Sequence, residues 1–247
     1  MSRRILSLRL SSLRSRSVVR RVRSSLVAAA AALAILDCST FAASAYDGTL
    51  DASGLVVPAR APATLSEILL GAPGTYVERL LADRDSILER WPDRVTEPLR
   101  IWIDSSETIS GEQAGFPAAV RAAFDQWVST GIPVRLAYVA NEGDANIRVH
   151  WTDHLNRKTG STTWRTDRSG YLTGGDITLA THVSDGRPLD ARGMRAIALH
   201  EVGHALGLSH SLDAGDVMAS LVRVDGLSAS DRGTIKLLYS LPAGHVR

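Results

Sequence analysis

The sequence predicts an α+β fold built on a mixed β-sheet. Two observations carry this: short alternating apolar–polar runs between residues 99 and 181, and two longer stretches, 117–130 and 190–206, with apolar residues at helical spacing. The order strand–helix–strands–helix, then a coil and a last helix, fits helices layered on a sheet.

Leu99-Arg100-Ile101-Trp102-Ile103 alternates as a half-buried strand does. Pro117 to Thr130 follows as a helix, with Ala118, Val120, Ala123, Phe124 and Trp127 at helical intervals and proline at an allowed N-terminal place. Val134 to Ala140 and Ile147 to Trp151 read as strands. Ser161 to Thr173 holds strand-forming Thr, Trp and Tyr with a Ser169-Gly170 turn inside it, and Asp176 to Thr181 is another short strand. Asp190 to Leu206 is the second helix and Ser230 to Tyr239 the last.

Upstream, residues 46–96 look like a separate preface: a linker, an inhibitory propeptide, or a lead-in packed on the domain. Tyr46 to Ala63 is rich in Gly, Pro and Ala. Leu65 to Leu70 and Tyr76 to Trp91 have helical spacing, with Pro92 expected to end the second helix. The compact domain is expected over residues 97–247.

With 45% hydrophobic and 22% charged residues, the chain has the composition of a soluble globular protein. Its charge is uneven. Residues 1–45 contain eight arginines and one acid, Asp37. Setting these aside from the chain's 28 basic and 26 acidic residues leaves 20 against 25, a net charge of −5. The remainder is acidic, which argues against a nucleic-acid partner. The basic leader is followed by the apolar run Leu26 to Leu36 and then by Ala43-Ser44-Ala45, the pattern of an export signal cut after residue 45. Eleven apolar residues are too few for a membrane span, so a secreted or extracytoplasmic protein without a stable span is expected. Cys38, the only cysteine, would be lost with the leader; lipid anchoring through it is a minor alternative, disfavoured by Asp37. The mature chain would then have no thiol, leaving His and carboxylates as metal ligands.

The chemistry concentrates in residues 199–211, Leu-His-Glu-Val-Gly-His-Ala-Leu-Gly-Leu-Ser-His-Ser. His200 and His204 are four apart and share one helix face, so both imidazoles can grip one Zn²⁺. Glu201 stands beside the first ligand, where a general base for metal-bound water is needed. Gly207 can take the left-handed conformation that ends a helix, letting the chain turn and bring His210 back as third ligand. Three protein ligands leave the fourth position to water, the arrangement of a catalytic rather than a structural zinc site. Chance placement of all five residues is expected in about a few per hundred thousand chains of this length.

His200-Glu201-x-x-His204-x-x-Gly207-x-x-His210 resembles the extended zinc signature of the metzincins, and Ser211 after it is similar to the matrixin branch. The resemblance covers residues 97–241. It implies a zincin-type twisted mixed sheet with one antiparallel edge strand, drawn from Ser161 to Thr173, that pairs with an extended substrate. It further implies one catalytic zinc, a methionine turn in which Met218 forms the floor of the site, and a final helix introduced by Leu227-Ser228-x-x-Asp231. The activity it implies is hydrolysis of internal peptide bonds in a protein or peptide substrate, by a monomer. A catalytically silent, zinc-containing peptide-binding module is the alternative. The chain departs from matrixins in two ways. Residues 46–96 contain no cysteine to cover the zinc, and His150, Asp153, His154 and His182 suit a second zinc or calcium by residue type but not by spacing. These histidines, with His245, are expected at the surface.

Overall fold

A computed structural model describes residues 49–50, 56–57, 68, 72–105, 111–156 and 158–245. The chain divides into two compact units, residues 1–59 and 60–247. In the first, β1 (Thr49–Leu50) pairs antiparallel with β2 (Val56–Val57). The leader and its proposed cleavage site lie outside the described residues, as does the expected helix at 65–70 apart from Ile68.

The second unit is a five-stranded sheet with helices packed on it. Its strands are β4 (Arg94–Ile103), β5 (Val134–Tyr138), β6 (Ile147–Thr152), β7 (Gly160–Thr166) and β8 (Leu172–Ala180), in the order β5-β4-β6-β8-β7. Neighbouring pairs are parallel except β7 with β8, so the sheet has one antiparallel edge strand, as expected. The Ser169-Gly170 turn joins these two strands, and its glycine supplies the positive φ of 82°.

Alternation puts Ile147, Val149 and Trp151 of β6 into the core, while Arg148 and His150 stay on the opposite face. The core side receives α2 (Phe116–Val128) and α3 (Ala191–Ala205); Phe116, Val120, Ala123, Phe124 and Trp127 of α2 are all buried. Trp127 ties the two helices directly, its indole N–H donating to the Leu199 carbonyl at 2.8 Å. The α3 helix starts where Asp190 accepts a hydrogen bond from the Gly193 N–H. The last helix, α4 (Ala229–Ser240), opens with a reciprocal capping box between Ser228 and Asp231. Among the described residues, no helix is long and apolar enough to cross a membrane.

The segment before β4 departs from the expected helix. Instead of running from Tyr76 to Trp91, α1 spans only Val77–Asp83. Asp85 and Ser86 then take left-handed backbone angles (φ 50° and 62°), which no helix can continue. Ile87–Leu88 forms a short strand, β3, antiparallel to β9 (Gly244–His245). The apolar spacing misled because Leu88 and Trp91 are buried by a strap crossing the core, not by one face of a helix. Tyr76, Val77, Leu80, Leu88 and Trp91 join the same hydrophobic cluster as the sheet and α3. The described part of the preface thus packs into the core of the domain.

Leu80 is fully buried in that cluster, so truncating it tests whether the lead-in is integral. Leu80→Ala should lower unfolding free energy by about 2–5 kcal/mol in urea titration; an unchanged midpoint would mean that α1 merely rests on the surface.

Candidate metal centre

The turn after α3 decides where the third histidine goes. Gly207 has φ of 107°, and a Cβ there would overlap the Glu89 carbonyl oxygen of the strap. Both the backbone angle and the space exclude a side chain. Beyond this reversal His210 returns to the helix. His204 Nε2 lies 3.1 Å from His200 Nε2 and 3.3 Å from His210 Nε2. Zn–N bonds of about 2.0–2.1 Å at tetrahedral angles put ligand nitrogens about 3.3 Å apart, so the spacing fits zinc.

The other ring nitrogens show which lone pairs are free. His200 Nδ1–H donates to the Val217 carbonyl at 2.8 Å, and His204 Nδ1–H donates to the Leu208 carbonyl at 2.8 Å. A carbonyl can only accept, so each Nδ1 carries the proton and each Nε2 presents a lone pair to the shared point. Burial lowers the pKa of all three histidines, that of His204 to about 3; neighbouring imidazoles add to the effect at His200 and His204, and the Lys158 and Arg79 charges add to it at His210 against the pull of Asp83. They are therefore neutral, the form in which imidazole binds a metal.

Glu201 is buried beside the trio. Its carboxylate accepts from the Thr162 hydroxyl on β7 at 2.6 Å, which aims it along the edge strand. Burial pushes its pKa up to about 7, while the Thr162 hydrogen bond and the Lys158 charge pull it down. Met218 is fully buried against α3; a Cβ at Gly203 would overlap its sulfur, so helix and methionine turn touch directly. The turn is pinned from behind. Asp231, with no exposed surface, accepts from the Val217 N–H, the Ser228 N–H and the Tyr76 hydroxyl. Asp216 accepts from the Ser211 and Ser228 hydroxyls.

All this opens on a cleft of about 820 Å³ lined by His200, Glu201, His204 and His210, by Gly160, Ser161 and Thr162 of the edge strand, and by Leu221 and Val222. A model of the matrixin family, the M10 peptidases, matches residues 99–240. The chain belongs to the matrixins. Matrixins are zinc metallopeptidases, which implies protein substrates, and the three-histidine group of this matrixin could hold the metal.

The structure brings His200, Glu201, His204 and His210 together around Gly207 and Met218. Of the candidates for a second ion, Asp153, His154 and His182 come near one another, with the Thr181 hydroxyl 3.4 Å from Asp153 Oδ1, but their donor atoms do not converge as a group of three. His150 stands edge-on to Trp102, with ring centroids 5.4 Å apart. His154 and His182 lie ring to ring at 5.3 Å, and His182 Nδ1 engages the Thr181 hydroxyl. Among the described residues, the three histidines of the motif form the one group of three metal-donor side chains that converges. Sequence reasoning missed Thr162, because a strand threonine carries no motif, and the strap contact at Gly207, which pairs residues 118 positions apart. Asp231 was visible only as part of the Leu227-Ser228-x-x-Asp231 lead into the last helix.

Gly207→Ala should cost at least about 1–3 kcal/mol in backbone strain alone and lower bound zinc below one per chain. Calorimetry with and without added zinc would show both; a variant as stable and as metal-rich as the parent would contradict the account of the turn.

Proposed function

We propose that this matrixin is a secreted zinc endopeptidase that cuts internal peptide bonds of chains laid along β7. The observation that carries the reading is the convergence of three histidine Nε2 atoms beside the Glu201 carboxylate in one open cleft. Zinc, when bound, supplies a Lewis acid and brings the pKa of its water towards neutrality. Glu201 would accept a proton from the attacking water at its carboxylate and pass it to the amine nitrogen released as the peptide C–N bond breaks. Thr162 keeps the carboxylate facing the cleft while the proton is held. The outer edge of β7 is unpaired within the sheet, so an extended substrate can add to it as a further antiparallel strand. Val183, Leu189, Ile197, Leu221 and Val222 line part of the cleft, and they favour an apolar substrate side chain.

A silent peptide-binding module would keep the metal and the edge strand but would have no use for a carboxylate between them. Replacing Glu201 by Gln preserves shape and removes the base. Casein cleavage should fall by at least about a hundredfold while zinc stays near one per chain; undiminished cleavage would remove Glu201 from the mechanism. A chelator should abolish cleavage by the parent protein. Export rests on the basic leader, the apolar run and Ala43-Ser44-Ala45. N-terminal sequencing of the mature protein should start at Tyr46, whereas a chain retaining its leader would rule out that cleavage site.

A further inference from the structure

Carbonyls at a helix C-terminus lack helical donors and need partners from elsewhere. At the end of α3 and in the turn after it, three carbonyls receive side chains. Trp91 Nε1–H donates to the Ala205 carbonyl at 2.8 Å, the Tyr239 hydroxyl to the Leu206 carbonyl at 3.0 Å, and Arg84 Nη2–H to the Leu208 carbonyl at 3.2 Å. The third differs in consequence, because the Leu208 carbonyl is also the acceptor for His204 Nδ1–H.

The Arg84 guanidinium is fixed on every side. Its Nη1 lies 2.8 Å from Glu89 Oε2, which also accepts from Trp164 Nε1–H at 2.9 Å. Its carbon sits 4.8 Å from the Trp164 ring centroid, a cation–π arrangement with a residue of the edge strand. Only 9% of the side chain is exposed. The left-handed pair Asp85 and Ser86 folds the chain back directly after Arg84, bringing Glu89 round to the guanidinium. Two consecutive non-glycine residues hold such angles only where the surroundings over-determine them. Arg84 lies upstream of the matched residues 99–240, so the family match assigns it no role.

We propose that Arg84 is a positioning residue of the metal centre: by clamping the Leu208 carbonyl, it holds the acceptor that sets the tautomer and ring angle of His204. It rests on the zinc reading above. A fork that reaches a carboxylate on one side and a carbonyl on the other is specific to guanidinium. It follows that the lead-in carrying Arg84 stays with the active enzyme rather than being removed on activation.

The test uses the full chain loaded with zinc, in parallel with Arg84→Leu, Arg84→Lys and Arg79→Leu. Arg79 lies in α1 with its side chain 47% exposed and serves as a charge-matched control. Two quantities are read: the rate of zinc transfer to a colorimetric chelator, and the visible spectrum of the cobalt-substituted protein. Arg84→Leu should release zinc about 10–100 times faster, as loss of a group orienting a metal ligand does, and should shift the cobalt bands. Arg84→Lys, keeping the charge but not the fork, should remain at least about threefold faster than wild type. Arg79→Leu, which removes a charge felt at His210 but leaves the clamp on Leu208 in place, should accelerate release far less than Arg84→Leu. Wild-type release and spectrum in Arg84→Leu overturn the proposal, as does equal acceleration in Arg79→Leu, which would make the effect one of charge alone. Should Arg84→Leu fail to fold, wild-type values in Arg84→Lys overturn it. A wild-type protein that takes up no zinc defeats the metal reading itself, a result distinct from all of these.

Discussion

The reversal of the chain at Gly207 is the constraint on which the site depends. A helix can place His200 and His204 on one face, but it cannot supply a third imidazole from the same side at tetrahedral spacing. The chain must leave the helix and come back within three residues. A φ of 107° accomplishes the reversal, and the Glu89 carbonyl occupies the space where any side chain would sit. Ligand geometry and the packing of the strap are therefore one problem. Loosening either one moves His210.

The second layer works by exclusion of alternatives. Imidazole has two tautomers, and a trio in mixed states would present N–H groups to one another. Backbone carbonyls from two turns, Val217 and Leu208, remove that freedom at His200 and His204. Each carbonyl is itself held. Val217 belongs to a turn whose N–H groups and hydroxyls end on the buried carboxylates of Asp231 and Asp216. Leu208 follows the reversal and is gripped by Arg84. Met218 fills the space under Gly203, so the zinc helix rests on the same turn that orients its first ligand. The edge strand then contributes the Thr162 hydroxyl, which couples the base to the surface where a substrate would lie.

Much of this was legible in residues 97–247 before any coordinates. Strands and helices there have apolar faces buried against one core, so local periodicity and tertiary burial agree. Strand β6 alternates, α2 has a helical stripe, and the motif has fixed offsets within a single helix and its exit. The same logic failed at residues 84–91. Leu88 and Trp91 are buried, yet the burial comes from a strap lying across α3, and an apolar residue reports burial without reporting which element buries it.

What the sequence determined by itself is the local part: helix offsets bring His200 and His204 together, a glycine permits the turn, and the order of elements gives an α+β layer with a mixed sheet. These follow from covalent geometry and short-range sterics, which act over a few residues. Tertiary structure alone decided which distant groups complete the site. Glu89 against Gly207, Arg84 on the Leu208 carbonyl, Thr162 on Glu201 and Asp231 behind the methionine turn join residues from 14 to 124 positions apart. No spacing rule links such residues, because their meeting is set by how whole elements pack.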